Sequence, residues 1–109
     1  MTIGIYTLEL HLPGARSLKD RRQVLRRLKD RLRARHNLSI AELEEHAELW
    51  QRAGLMVVAV AARRDQLEKL FEKVFQEARA MVPGEVMETG SDFMEGCDGG
   101  SAGWEGGPR

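Results

Sequence analysis

Residues 53–62 read AGLMVVAVAA, and their reading decides the fold. Ten residues without a charge, rich in Val, are too few to cross a bilayer, which takes about 20. They read instead as a central strand buried on both faces. What flanks the strand then fixes the class.

Downstream, Asp65 is a candidate cap for a helix over about residues 66–82. Leu67, Leu70, Phe71, Val74, Phe75, Ala78 and Met81 recur at helical spacing and make its apolar face. Its polar face mixes Glu68, Glu72 and Glu77 with Lys69, Lys73 and Arg79, so its charge is balanced. Pro83-Gly84 closes it, and residues 85–93 form a last strand with Val86 and Met87 as apolar members. Residues 95–109, EGCDGGSAGWEGGPR, hold six Gly and are expected to be a disordered tail, with Trp104 solvated.

Upstream, Glu44-Glu45-His46-Ala47-Glu48 reads as an acidic loop, with Trp50 plugging the core edge before the central strand. Residues 38–43 alternate as a short strand. Before it lies a helix over residues 18–35, with Ser17 as N-cap, Asp20 as a short capping-box acid and Asn37 as its stop. Leu18, Val24, Leu25, Leu28 and Leu32 share its apolar face at about 100° per residue. Arg21 falls within that face and reads as a snorkelling or ion-paired structural Arg rather than a ligand contact. Residues 3–12 make the first strand, ended by Pro13-Gly14. Ile3 and Ile5 fall in one phase, and Leu8, Leu10 and Leu12 in the other. Either a bulge near Tyr6 shifts the alternation or both faces are buried.

The order strand, helix, strand, strand, helix, strand is the α+β, ferredoxin-like βαββαβ sandwich. It predicts one four-stranded antiparallel sheet with two helices on one face, over residues 1–94. The other sheet face has no helix to cover it, although strands one and three are apolar in both phases. A second copy is the expected cover, giving a homodimer through the open sheet face.

The formal net charge is zero, with 17 Lys or Arg against 17 Asp or Glu. The total hides an asymmetry. Residues 16–35 carry ten Lys or Arg and two Asp, whereas residues 80–109 carry six acids and one Arg. Lys19, Arg22, Arg26, Lys29 and Arg33 follow one another at offsets of three and four along the first helix. They form a stripe within about 80° of arc. Like charges so spaced repel one another unless anions meet them, and Arg forms bidentate contacts to phosphate. The stripe therefore predicts a phosphate-backbone contact surface for RNA, with Arg16 and Arg27 as peripheral help. The alternative is that Glu42, Glu44, Glu45 and Glu48, or an acidic surface on another protein, pair with it. A sheet-face RNA reader would need aromatics on strands one and three, and strand three has none.

No enzyme chemistry is legible. The loop Pro13-Gly14-Ala15-Arg16-Ser17 lacks the Gly-Lys-Ser/Thr of a phosphate loop and reads as a turn and cap. His11, His36, His46 and the single Cys97 have no metal-ligand spacing, and no nucleophile–base set has a local signature. No catalytic residue, metal or cofactor is expected. One Cys, no signal peptide and no membrane-length apolar run predict a cytoplasmic protein that uses no membrane.

PGARSLKDRRQVLRRLKDRLRARHNLSIAEL followed by ELWQRAGLMVVAVA resembles the YlxP-like family of small bacterial proteins, a domain family of unknown function. Pro13, Gly14, Ser17, Leu18, Lys19, Arg21 and Arg22 carry the first motif of the resemblance. Asn37, Ser39, Ala41 and Glu42 carry the second, and Trp50, Gln51 and Ala53 the third. The match covers residues 1–94. It departs at Asp20, where a longer acid is commoner, and in the 44–48 loop. The resemblance implies a ferredoxin-like fold and brings no catalytic residues. Such proteins are encoded among genes for translation initiation and ribosome maturation, which implies, by association, the ribosomal particle as partner.

Overall fold

Alternation along β1 (Thr2–His11) is unbroken: Thr2, Gly4, Tyr6, Leu8 and Leu10 are buried, and the residues between them are half-buried. Of the two arrangements open for this strand, the bulge near Tyr6 is absent, and Ile3 and Ile5 lie on the opposite sheet face from Tyr6 and Leu8. The computed structural model describes residues 1–43 and 51–96. The acidic loop, Trp50, Cys97 and the Gly-rich tail with Trp104 lie outside the described residues.

The chain runs β1, α1 (Leu18–Arg35), β2 (Ser39–Leu43), β3 (Arg52–Ala61), α2 (Arg64–Met81) and β4 (Glu85–Glu95). The four strands form one antiparallel sheet in the order β2-β3-β1-β4. This is the ferredoxin-like βαββαβ arrangement. Helix α1 packs over β2, and α2 lies over β1, β3 and β4. The core is the layer between: Leu8, Leu10, Leu55 and Val57 from the sheet against Leu25, Leu28 and Leu32 of α1 and Leu67, Phe71 and Val74 of α2. Burying a side chain of this size contributes about 1.5–3 kcal/mol, so this layer holds most of the apolar driving force.

Element ends differ from the sequence reading where local hydrogen bonds outweigh pattern. Ser17 caps α1 as expected, its Oγ accepting from the Asp20 N–H. Asp20, however, accepts from the Arg16 N–H, one residue before the expected partner. Leu18 is exposed rather than on the apolar face, because it precedes the turn that first meets the sheet. Helix α1 stops at His36 rather than Asn37, the His36 N–H closing on the Leu32 carbonyl. Strand β2 begins at Ser39, not Leu38, and β3 lies one residue N-terminal of its expected bounds. Helix α2 is capped by Arg63 rather than Asp65, and it ends at Met81. The Gln66 side chain accepts the Arg63 N–H, and the Arg63 guanidinium donates to Asp65. That hydrogen bond, first among the causes, holds the Asp65 carboxyl below its usual range.

Strand β4 runs two residues past its expected end and contains the bulge. Thr7 pairs with Gly90 and Leu8 with Glu88, so Thr89 is the extra residue. Its hydroxyl donates to Thr7 Oγ1 at 2.9 Å. The helix-facing positions are therefore even-numbered before the bulge (Val86, Glu88) and odd-numbered after it (Ser91, Phe93).

Candidate anion-binding surface

The cations of α1 fall into three groups, set by which flank of the helix each occupies. Arg21 points into the core side and is buried. Its guanidinium pairs with Glu42 of β2, and its Nε donates to the Arg52 carbonyl at 3.0 Å. It is the structural Arg that its place in the Leu face predicts, and it is removed from any ligand.

Arg31, Arg35 and His36 gather on the flank facing α2, around one carboxylate. Arg35 Nε lies 2.7 Å from Glu77 Oε1 and Arg31 Nε 3.8 Å from it, and His36 Nε2 meets the other carboxylate oxygen. Glu77 sits on α2 among residues of both signs, so nothing local marked it as the acceptor for α1. Arg27 occupies the same flank. It lines a shallow groove with Val24, Arg31, Met81 and Pro83, away from the stripe.

The third group lies on the β2 side of α1. Arg22, Arg26, Lys29 and Arg33 line one open groove with Leu25, Asp30 and Glu42. Lys19 continues their line toward the helix N-terminus, and Arg16 stands in the preceding loop. Among the described residues Arg16, Lys19, Arg22, Arg26, Arg27 and Lys29 make no ion pair. Arg33 is partly committed: one guanidinium nitrogen donates to the Ile40 carbonyl at 3.0 Å, and the other is 4.0 Å from Asp30. That tether fixes the head of Arg33 beside the edge strand. Of the two acids of the groove, Glu42 is drawn to Arg21, and Asp30 lies beside Arg33 within the groove itself.

From Lys19 to Arg33 the stripe rises about 21 Å along the helix, at about 1.5 Å per residue. That length matches about six nucleotides of a duplex strand at about 3.4 Å each. A row of five cations, three of them Arg, can meet a phosphate chain with charge-assisted, partly bidentate hydrogen bonds. The groove is open along the helix and lined by cations, which suits contact with a phosphate backbone. Among the described residues no group of three or more His, Cys, Asp or Glu is placed to hold a metal ion. No helix is long and apolar enough to cross a membrane.

Residues 3–90 match the family described as "Protein of unknown function (DUF503)". The chain is 36% identical over 72 residues to the uncharacterized protein YlxP of Bacillus subtilis, covering 66% of this chain and 77% of that one. Among solved structures it is similar to a C-terminal segment of the alpha subunit of aIF2 from Pyrococcus abyssi. The TM-score is 0.53 and the identity 18%, over 81% of this chain. The likeness spans 48% of the length of that structure, and at this identity it bears on the fold alone.

Proposed function

This chain belongs to the DUF503 family of proteins of unknown function, and on that premise we propose that it is a non-catalytic RNA-contacting protein acting near the ribosome or a translation factor. The observation that carries the reading is the line Lys19, Arg22, Arg26 and Lys29, without an ion pair among the described residues, ending in the tethered Arg33. Arg31 and Arg35, on the same helix, by contrast share Glu77 as a counter-charge. The fold shared with a segment of a translation-factor subunit is the reason to look first at the ribosome.

The test is the affinity of single-stranded and duplex RNA for the full chain across a salt series. Four phosphate contacts give a slope of log K on log salt of about −2.8 on single strands and about −3.6 on duplex. With Arg33 as a fifth contact, the slopes are about −3.5 and about −4.5. Arg22→Glu with Arg26→Glu and Lys29→Glu should abolish binding without unfolding the protein, since all three heads lie outside the core. An affinity that ignores salt would sink the mechanism.

A second reading has its own support in the open sheet face. Ile3, Ile5, Met56 and Val58 meet there, and Val60 and Met94 are 50% and 56% exposed. We propose that a second copy covers this face, with the charged residues around it at its rim. An isologous contact is self-complementary, which suits an apolar centre with a rim of both signs, here Glu9, Arg52 and Asp92. In that reading the basic helix docks an acidic protein surface instead. Nuclease treatment of a pull-down separates the two: partners held through RNA are lost, and direct protein partners remain.

A further inference from the structure

A second concavity, of about 190 Å³, lies on the helix side of the sheet between the N-terminal half of α2 and β4. It shares no residue with the basic groove. Its floor is aromatic. The Tyr6 ring stacks on Phe71 with centroids 4.7 Å apart and planes 7° from parallel, and Phe93 tilts against Phe71 at 5.9 Å. Its walls are acidic: Glu68 and Glu72, one turn apart on α2, face Glu88 on β4. Arg64 is the one cation of the lining. It is already placed, with its guanidinium 4.4 Å above the Phe93 ring and its Nε 3.8 Å from Glu68. Glu72 accepts a hydrogen bond from Gln76, and Glu88 makes no ion pair among the described residues. Three carboxylates and one guanidinium leave the pocket with a net charge of −2.

The independent sign of a ligand is Tyr6. Its side chain lines this pocket and is 2% exposed, and no group donates a hydrogen bond to its buried hydroxyl oxygen. Native structures rarely leave such a group unmet. Burial first, then the Glu88 charge and hydrogen bonding to Glu88, push the phenol's pKa well above its ordinary value, so the group stays a neutral O–H with its proton toward Glu88 and a lone pair to offer.

We infer that this pocket receives an alkylammonium group. An ammonium carries three donors, enough for Glu88, Glu72 and Tyr6 Oη together. The methylenes behind it would lie against the rings of Phe71 and Phe93, and the ammonium is drawn to their faces as well. A guanidinium fits less well, because the flat face it would stack on is held by Arg64. The carboxylates are not grouped for a metal ion among the described residues, so the cation is an organic one. The volume exceeds the roughly 150 Å³ that accommodates benzene in an engineered cavity, and is sufficient for a short aliphatic chain with its head. Such a group comes either from a free diamine or from a lysine side chain of a partner.

The experiment is an amide-resolved NMR titration of the full chain with 1,4-diaminobutane and, separately, with a doubly capped lysine, each against sodium chloride at equal ionic strength. The expected result is saturable shifts centred on Glu88, Ser91 and Phe93 with at least one probe. Glu88→Gln should weaken that binding about tenfold, as expected for losing a charge-assisted hydrogen bond. Tyr6→Phe should weaken it several-fold. Saturation by the diamine alone assigns a free ligand, and saturation by the capped lysine assigns a partner side chain. Glu88 is exposed, so its variant should keep the wild-type spectrum; Glu72→Gln gives a second reading on the other wall. The proposal is overturned by no saturable shift with either probe to about 10 mM, by equal shifts in sodium chloride, or by unchanged binding in both carboxamide variants.

Discussion

Arg21 of α1 and Glu42 of β2 form an ion pair at the inner face of the helix, with Arg21 only 4% exposed. The same guanidinium also holds the Arg52 carbonyl, so one side chain ties α1 to β2 and to the first residue of β3. Removing one partner of such a pair leaves the other without its counter-charge. Glu42→Gln, which strands the buried Arg21 charge, should therefore destabilise the protein by about 2–4 kcal/mol, and Arg21→Leu by about 1–2 kcal/mol, because the Glu42 it leaves behind retains access to water. Urea unfolding of the two variants checks this. Equal costs would mean that burial of the stranded Arg21 charge does not set the penalty.

Gly4 lies beneath the Phe71 ring. A Cβ at position 4 would stand 2.8 Å from Phe71 Cζ, 2.9 Å from Cε2 and 3.1 Å from Leu67 Cδ1. The ring is clamped between Tyr6 and Phe93 and has little room to move away. Gly4→Ala should cost about 1–3 kcal/mol by overpacking, against the gain a Gly-to-Ala change brings in an open strand. A lower thermal midpoint in calorimetry is the expected outcome.

Tyr6 is the one tyrosine of the chain, so its titration can be followed by phenolate absorbance without overlap. In the unfolded chain it ionises near pH 10, and in the folded chain its pKa is raised by burial and by Glu88. Above pH 10 the folded state therefore holds a proton that the unfolded state has lost. The Tyr6 contribution is complete below that pH, and stability falls as pH rises from there toward the folded value. Phenolate should appear only together with loss of circular dichroism, and Tyr6→Phe should flatten the alkaline limb. Phenolate appearing near pH 10 in the folded protein would contradict the burial of this group.

On the open sheet face, Val60→Lys combined with Met94→Lys should halve the particle mass measured by light scattering at micromolar concentration. Helix content should not change, because both side chains point away from the core. A wild-type protein that is already monomeric would remove the reason for the experiment.

The fold was legible because its evidence is local. The uncharged run at 53–62 and the Leu and Phe periods of the two helices needed no knowledge of distant partners. Arg21 announced its structural role by standing in a leucine face. The sorting of the other cations was not legible in the same way. Their pairing depends on Glu77, which lies 42 residues beyond Arg35 and looks like any solvated acid of a mixed helix face. The aromatic pocket was equally hidden, since Tyr6, Phe71 and Phe93 come from three elements. The Asp65 cap was misread because Arg63, with Gln66 and Asp65 around it, offers the backbone a different closure. The choice left open for β1 was settled by distant partners: the misfit of phases reflects an apolar open face, and the extra residue lies in the neighbouring strand.

That extra residue, Thr89, makes β4 two half-strands of opposite parity joined end to end. Glu88 and Phe93 are an odd number of positions apart, yet they face the same pocket. In a regular strand they would stand on opposite sides of the sheet. Losing Thr89 would leave Glu88 and Phe93 four positions apart, the spacing at which a regular strand keeps both on the helix side. The pairing of Leu8 with Glu88 and of Thr7 with Gly90 would survive, and what is lost is the Thr89 hydroxyl contact with Thr7 and the local twist of the bulge. For this strand one residue of length is spare, and a shortening at position 89 should be tolerated about as well as a change of side chain there.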